Sequence, residues 1–172
     1  RAVRPQSADP EMDNRLMRIS PDGTFLDDNL LQLEEPPAVN IGGVFTARPQ
    51  FMAQLIVRMN GNGFFYGITD RLMIISRDHS GSNESAFYYD LAGEQVTQAD
   101  IEESGQGLPP QFGQLLAQAD LPDRWPVWNT FYVDDQARFW ISLRNQDEEN
   151  EVTTWWVLDS EGNKLAEKQL PS

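Results

Sequence analysis

Residues 131–171 read FYVDDQARFWISLRNQDEENEVTTWWVLDSEGNKLAEKQLP, and this stretch decides the fold. Short apolar runs alternate with tight polar turns, which is the pattern of an antiparallel β-meander. The predicted strands are 132–133, 138–144, 153–158 and 164–169. The predicted turns are 134–137, the acidic loop 145–151 and 159–162.

Weaker copies of this pattern precede it along the chain. Two strands, 16–19 and 24–33, flank a turn in which Pro21 presets φ and Gly23 accepts a positive φ. Residues 38–50 are predicted to connect this pair to the next strands. Those strands are predicted at 51–59, 64–68, 71–77 and 86–90, with turns at 60–63 and 91–93 and a polar loop at 79–85.

The pattern changes between Thr97 and Asp120. Thr97 is followed three residues later by Asp100, which is typical of a helix N-cap. Pro109 and Pro110 can open a second short helix, because proline is tolerated in the first helical turn. We therefore predict a small helical insertion near 97–120, and the alternative is a structured loop.

Turn glycines suggest an internal repeat. Gly23, Gly93 and Gly162 recur at a spacing of about 70 residues, and each follows an apolar run. Units of four antiparallel strands with this density of turns favour the blades of a β-propeller. The predicted fold class is all-β, with two full blades, part of a third and the helical insertion. One segment, 1–172, would comprise a partial blade 1–37, a blade 38–110 and a blade 121–172, with the insertion at 97–120.

Charge and composition narrow the classes of partner. The chain has 27 acidic residues against 13 Lys and Arg, a formal net charge of -14. No basic stripe is available for phosphates, which argues against nucleic acid and anionic membrane surfaces. The absence of cysteine excludes disulfides, thiolate chemistry and a cysteine-based zinc site. No apolar run approaches the roughly 20 residues of a membrane span.

Three runs of sequence, 48–76, 121–143 and 155–171, resemble the bacterial six-bladed β-propellers of the NHL-type and gluconolactonase-like group. A D-x-x-G-x-x-W-V pattern is present as residues 134–141, with Ala137 in place of the glycine. The blade-end pattern V-x-D-x-x-G…L-P is present from Val157 to Pro171 with slightly altered spacing. The resemblance covers about residues 15–172, and it implies a periplasmic or extracellular location.

A complete six-bladed propeller needs roughly twice this length. The resemblance therefore implies a fragment of a longer protein, two chains that combine, or a partner that covers the ends; the fragment is favoured. A compact β-sheet domain that is not a propeller remains the alternative.

Aromatic residues are dense near the C-terminal end, and they permit two interpretations. They could form a stacking platform for a sugar or another flat ligand, or they could pack between blades, which we favour. Consecutive Trp155 and Trp156 on a strand must point to opposite faces. The residues concerned are Trp125, Trp128, Phe131, Tyr132, Phe139, Trp140, Trp155 and Trp156.

The remaining polar candidates favour structural roles. The acidic loop 147–151 does not match a calcium-loop spacing, and Asp78, Ser80, Ser82 and Glu84 resemble a calcium loop in composition alone. His79 is the single histidine, and no nucleophile elbow accompanies it. Lactonase-type propellers imply an axial divalent ion, for which Asn60, Asp70 and Asn129 would be the candidates. The pairs Asp27-Asp28 and Asp134-Asp135 are predicted to be turn residues.

No catalytic, cofactor-binding or metal-binding residue is therefore assigned from the sequence. The favoured function is a non-enzymatic binding or scaffold module for protein partners, or a subunit of a larger complex. Its contacts would come from loops and the helical insertion, since loops on a rigid scaffold carry recognition. The alternative is a metal-dependent, lactonase-like hydrolase.

Overall fold

The computed structural model describes residues 14–33, 36, 38–41, 45–61, 63–80, 83–106, 109–144 and 152–171. Within these ranges the chain forms twelve strands and two helices. The strands are β1 (Asn14–Ile19), β2 (Phe25–Leu33), β3 (Val39–Ile41), β4 (Phe45–Ala47), β5 (Leu55–Asn60), β6 (Gly63–Ile68), β7 (Leu72–Arg77), β8 (Glu84–Tyr89), β9 (Trp128–Val133), β10 (Phe139–Leu143), β11 (Val152–Leu158) and β12 (Lys164–Pro171). The helices are α1 (Gln98–Ser104) and α2 (Pro110–Ala117). The predicted all-β class with a small helical part is confirmed.

Two four-stranded antiparallel sheets dominate the structure. The N-terminal sheet has the order β5-β6-β7-β8, and the C-terminal sheet has the order β12-β11-β10-β9. Each sheet therefore follows the chain strand by strand, as the blades of a propeller do. Strands β1 and β2 form a separate hairpin, and so do β3 and β4.

Aspartates fix three of the tight turns between strands. The carboxylates of Asp78, Asp134 and Asp159 each accept a hydrogen bond from the backbone N–H two residues later, at 2.9 to 3.0 Å. Short polar side chains favour turns through this local bond. The same contact therefore shapes the β7–β8, β9–β10 and β11–β12 connections.

The main hydrophobic core lies between the two sheets. Phe139 of the C-terminal sheet meets Phe65 and Phe87 of the N-terminal sheet edge to face, with ring centroids 5.5 and 5.0 Å apart. Trp128 is fully buried, and its Nε1 donates to the carbonyl oxygen of Arg71 at 2.9 Å. The buried members of this cluster are Phe65, Leu72, Ile74, Val127, Trp128, Phe131, Phe139, Ile141 and Leu158.

The sheets also meet at both sides of this core. On one side β5 lies against β9, and Arg58 donates to the carbonyl oxygen of Phe131 at 3.0 Å. On the other side the β11–β12 turn rests on β8. There the Tyr89 hydroxyl donates to the carbonyl oxygen of Gly162 at 2.6 Å. A Cβ atom at Gly162 would lie only 2.4 Å from Phe87 Cβ, so glycine permits this close approach.

The helical insertion covers a second hydrophobic cluster. Thr97 is the N-cap of α1 and forms a capping box with Asp100, as predicted. Helix α2 begins at Pro110, also as predicted. The cluster beneath contains the buried residues Val39, Phe51, Met52, Leu116 and Trp125.

Strand β12 forms an edge of the C-terminal sheet. It contains Lys164 and Lys168, which are the two lysines of the sequence. Lys164 forms an ion pair with Glu167 at 2.8 Å and lies over the ring of Trp156. The edge strand is thus the part of an acidic chain where lysine is concentrated.

Three local predictions are wrong. The segment 38–50 contains the β3–β4 hairpin and is not a plain connector. Asp27 and Asp28 lie within β2, where Asp27 faces Arg18 across the hairpin, so they are not turn residues. Gly93 does not join two strands of one sheet, because the segment around Gln95 pairs instead with Arg124. Gly23 and Gly162, by contrast, occupy strand-to-strand turns with a φ of 90°.

Neither helix of the described ranges is long and apolar enough to cross a membrane.

Candidate functional site

The alternation of side chains along β9 to β12 divides the aromatic residues between two faces. Phe131 and Phe139 point into the core between the sheets. Trp156 points the same way and meets Tyr89 edge to face at 5.3 Å. Packing between the two four-stranded sheets therefore accounts for one part of the aromatic set. Trp125 belongs to the second cluster, beneath the helices.

The other part forms the surface that we call the outer face of the C-terminal sheet. It comprises Thr130, Tyr132, Trp140, Ser142, Trp155 and Val157, which share rows of the β9–β10–β11 register. Neither hydrophobic cluster of the described chain includes Tyr132, Trp140 or Trp155. The outer face is thus an aromatic surface that turns away from the core.

Tyr132 and Trp155 give this face its shape. Their rings stack with centroids 5.9 Å apart and planes inclined by 23°, while the Tyr132 side chain stays 53% exposed. Ser142 and Val157 lie between the aromatic positions in register and are each only 4% exposed. The large side chains therefore shield the small ones; Tyr132 is exposed, whereas Trp140 and Trp155 are half-buried.

Arg58 supports the same surface from the neighbouring sheet. Its guanidinium lies 5.3 Å from the centre of the Tyr132 ring, and it donates to the Thr130 hydroxyl at 2.7 Å. Cations favour the faces of aromatic rings for electrostatic reasons. The position of Tyr132 is therefore fixed by contacts with both sheets before any partner binds.

Asp134 holds the remaining tryptophan of the outer face. Burial opposes ionisation of this carboxyl group, but bonds from Trp140 Nε1 at 2.9 Å, from the Arg138 backbone N–H and guanidinium, and from the Gln136 backbone N–H outweigh it. Together they lower the pKa of Asp134 to about 2. A carboxylate with these partners orders a turn and a side chain, which agrees with its predicted role.

A groove lies elsewhere, between the helical insertion and the segment that leads into β9. Its volume is about 500 Å³, and its lining includes Val96, Ile101, Ala119 and Leu121. These four residues also pack against the second hydrophobic cluster. Asp120, Asp123 and Arg124 line it as well, and all three are exposed. We refer to it as the insertion groove.

The three candidate ligands of an axial metal do not come together. Asn60 ends β5, where it pairs with Gly63, whereas Asp70 follows β6 at the opposite end of the same sheet. A strand of this length separates them by roughly 20 Å. Asn129 lies near the Asp70 end, because the neighbouring Val127 N–H donates to the carbonyl oxygen of Thr69. Within the described ranges no group of three or more His, Asp or Glu side chains could hold a metal ion.

The other polar candidates have structural partners. The Asp78 carboxylate accepts bonds from the Ser80 hydroxyl and the Asn83 side-chain amide at 2.7 and 2.5 Å. Glu84 forms an ion pair with Arg77. His79 lies edge to face on Phe64, with centroids 5.6 Å apart, and its Nε2 approaches the carbonyl oxygen of Gly61 at 3.1 Å. Ser82 and the acidic loop 147–151 lie outside the described residues.

The sequence did not reveal the insertion groove or the role of Arg58. The groove combines residues from 95–101 with residues from 117–124, and the bridge between Gln95 and Arg124 together with contacts between α1 and α2 brings these segments together. Arg58 resembles any other arginine on a strand until its distant partners are known. No protein family, curated protein or solved structure matches this chain.

Proposed function

We propose that this protein is a non-enzymatic β-propeller segment that acts as a binding or scaffold module for another protein. The observation that carries the proposal is the outer face, where Tyr132 and Trp155 present stacked aromatic rings on a rigid sheet. Tyrosine and tryptophan dominate the energetics of protein interfaces because they bury much area at little entropic cost. The proposed occupant is a further β-sheet, from a partner protein or from the rest of a propeller.

Pre-organisation supports this role. Arg58 fixes Tyr132, and Asp134 fixes Trp140, in each case through a hydrogen bond or ring contact within the chain. A surface that is already ordered loses less conformational entropy when it binds. The outer face therefore suits a stable contact more than a transient one.

Charge supports a basic partner. The formal net charge of -14 would attract a positively charged protein and repel an acidic one. We also propose the periplasmic or extracellular location that the sequence resemblance implies. This location does not depend on the outer face.

Site-specific photo-crosslinking tests the proposal. A benzophenone amino acid replaces Tyr132 in the native host, and a matched variant carries it at Tyr88, a tyrosine of the N-terminal sheet that is 57% exposed. We expect a protein adduct at position 132, identified by mass spectrometry and then confirmed with the purified partner. Substitutions Tyr132→Ser and Trp155→Ser should weaken that purified complex by about ten-fold or more, while Tyr88→Ser should not.

Two results would contradict the proposal. One is the absence of any protein adduct at position 132 under conditions where the benzophenone is shown to be reactive. The other is a purified complex whose affinity is unchanged by both substitutions on the outer face.

A further inference from the structure

The β5–β6 turn has the sequence Asn60-Gly61-Asn62-Gly63, in which asparagine twice precedes glycine. Asn60 ends β5 and pairs with Gly63, the first residue of β6, so Gly61 lies in the turn between the two strands. Gly61 is exposed, and a Cβ atom placed on it would meet no other part of the described chain within 4 Å. The peptide nitrogen of Gly61 is therefore open to water and has no side chain beside it to shield it.

The side chain of Asn60 supplies an electrophile for this nitrogen. Attack of the Gly61 nitrogen on Cγ of Asn60 closes a five-membered ring between adjacent residues. Such a reaction has the entropic advantage of any intramolecular step, because the two reacting groups are already joined. The neutral amide also accepts this attack more readily than a carboxylate, whose negative charge repels a nucleophile.

The position of Asn60 at the end of a strand makes the ring-closing geometry accessible. An extended backbone holds the Gly61 nitrogen away from Cγ, so the residue has to leave the strand conformation before the ring can form. Only the terminal Asn60–Gly63 pair of the ladder has to open for this. Opening at strand ends costs much less free energy than unfolding of the sheet.

Two other turns show how the chemistry of Asn60 differs from that of comparable residues. Asp22 also precedes a glycine, but the Ser20 hydroxyl donates to its carboxylate, which lowers its pKa and keeps it ionised. Asn163 has an amide, but the next residue is a lysine, and its Nδ2 donates to the Asp159 carboxylate at 2.9 Å. The β5–β6 turn combines the reactive amide with the unshielded nitrogen.

We propose that Asn60 is a site of spontaneous deamidation, in which the turn modifies itself with water as the co-reactant. The Gly61 nitrogen loses its proton to a base and forms a bond to Cγ of Asn60. The Cγ–Nδ2 bond then breaks, and the amide nitrogen takes up a proton and leaves as ammonia. Water opens the cyclic imide at the main-chain carbonyl to give isoaspartate, or at Cγ to give aspartate. This inference is independent of the proposed protein-binding function.

The products alter the hairpin in two ways. Both add a carboxylate to a turn whose Gly61 carbonyl oxygen lies 3.1 Å from His79 Nε2. Isoaspartate also adds a carbon atom to the main chain at the end of β5. The hairpin has little room to adjust, because a Cβ atom on Gly63 would already collide with the carbonyl oxygen of Arg77. Isoaspartate at position 60 is therefore expected to lower the hydrogen-exchange protection of this end of β5 and β6.

Incubation of the folded protein in water enriched in heavy oxygen, at mildly alkaline pH, tests the proposal. Hydrolysis of the imide places one heavy oxygen atom in the new carboxylate. Trypsin, used afterwards in ordinary water, releases residues 59–71, whose only asparagines are Asn60 and Asn62. Fragmentation of this peptide in the mass spectrometer then assigns the label to one of them. We expect label at position 60, while Asn129 and Asn163 in the same digest remain unlabelled.

The variant Gly61→Ala examines the mechanism. The structure has space for the added methyl group, and φ at Gly61 lies outside the left-handed region, so the fold should persist, as far-UV circular dichroism verifies. The methyl group should shield the nitrogen and slow the conversion of Asn60 about ten-fold or more. The matched variant Asn62→Gln leaves Asn60 and Gly61 in place and should leave the rate nearly unchanged.

The isolated 59–71 peptide sets the duration of the experiment, since incubation continues until this peptide has converted. An unlabelled Asn60 in the folded protein at that time would overturn the proposal. Label at Asn62 alone, or an equal rate in Gly61→Ala, would overturn it as well. None of these results affects binding at the outer face, which is measured separately through Tyr132 and Trp155.

Discussion

The guanidinium of Arg58, on the first strand of the N-terminal sheet, donates to the hydroxyl of Thr130, on the first strand of the C-terminal sheet, at 2.7 Å. The same guanidinium donates to the carbonyl oxygen of Phe131, which lies on the open edge of β9. The Arg58 side chain thus supplies hydrogen-bond donors to the edge of the C-terminal sheet. It also supports Tyr132 of the outer face.

Arg58→Met is expected to lower the free energy of unfolding by about 1–2 kcal/mol, because the Thr130 hydroxyl and the Phe131 carbonyl lose a charged donor. Urea unfolding measures this loss. Arg71→Met is the control, since Arg71 is 52% exposed and lies 3.9 Å from Asp70, and we expect a change below about 0.5 kcal/mol. Equal losses in the two variants would refute the linking role of Arg58.

Gly162→Ala should destabilise the protein more than Gly23→Ala. Both glycines have a φ of 90°, so both variants carry the same backbone strain of about 1–2 kcal/mol. A Cβ at Gly162 would also collide with Phe87, whereas nothing lies within 4 Å of one at Gly23. We expect an additional loss of about 1–3 kcal/mol for Gly162→Ala in urea unfolding. Similar losses at the two sites would argue against docking of the β11–β12 turn on β8.

Asp134 should make stability depend on pH in the acidic range. Its pKa is lowered from an ordinary 3.8 to about 2 in the folded protein. The ionised carboxylate therefore stabilises the fold above pH 4, and this contribution is lost as pH falls from about 4 to about 2. The free energy of unfolding of Asp134→Asn should be lower than that of the parent protein at pH 7. The difference between these two free energies should become smaller as the pH is lowered to 2. Asp135→Asn, at the exposed neighbouring position, is the control and should show no such narrowing.

Thr97→Ala should destabilise α1 by about 1 kcal/mol, since the Thr97 hydroxyl accepts from the Asp100 N–H and completes the capping box. Hydrogen exchange of the α1 amides measures this local effect. Thr97→Ser keeps the hydroxyl and should retain most of the protection. Loss of protection in the serine variant as well would indicate that packing of the methyl group matters more than capping.

The features that were predicted correctly from the sequence depend on interactions between residues that are close together along the chain. The N-cap at Thr97, the start of α2 at Pro110 and the turns at Asp134 and Asp159 each depend on residues within a few positions of one another. Their side chains satisfy backbone groups of the same turn, so the pattern and its cause lie in one short stretch.

The errors arose where distant contacts decide the structure. Gly93 matched the spacing of the turn glycines, but Glu94 and Trp125 pair through the backbone and draw this segment toward β9. The alternation of faces was predicted for Trp155 and Trp156, and the register shows the same separation for Phe131 and Tyr132. The insertion groove requires two segments that meet only in the folded chain.

The position of Lys164 and Lys168 on the edge strand β12 has a consequence for solubility. Open strand edges can act as templates for intermolecular hydrogen bonding, and lysine ammonium groups oppose this through charge repulsion. Both lysines of the sequence lie on that single strand. Acetylation of the two lysines is therefore expected to promote amyloid-like association, although it makes the protein still more acidic.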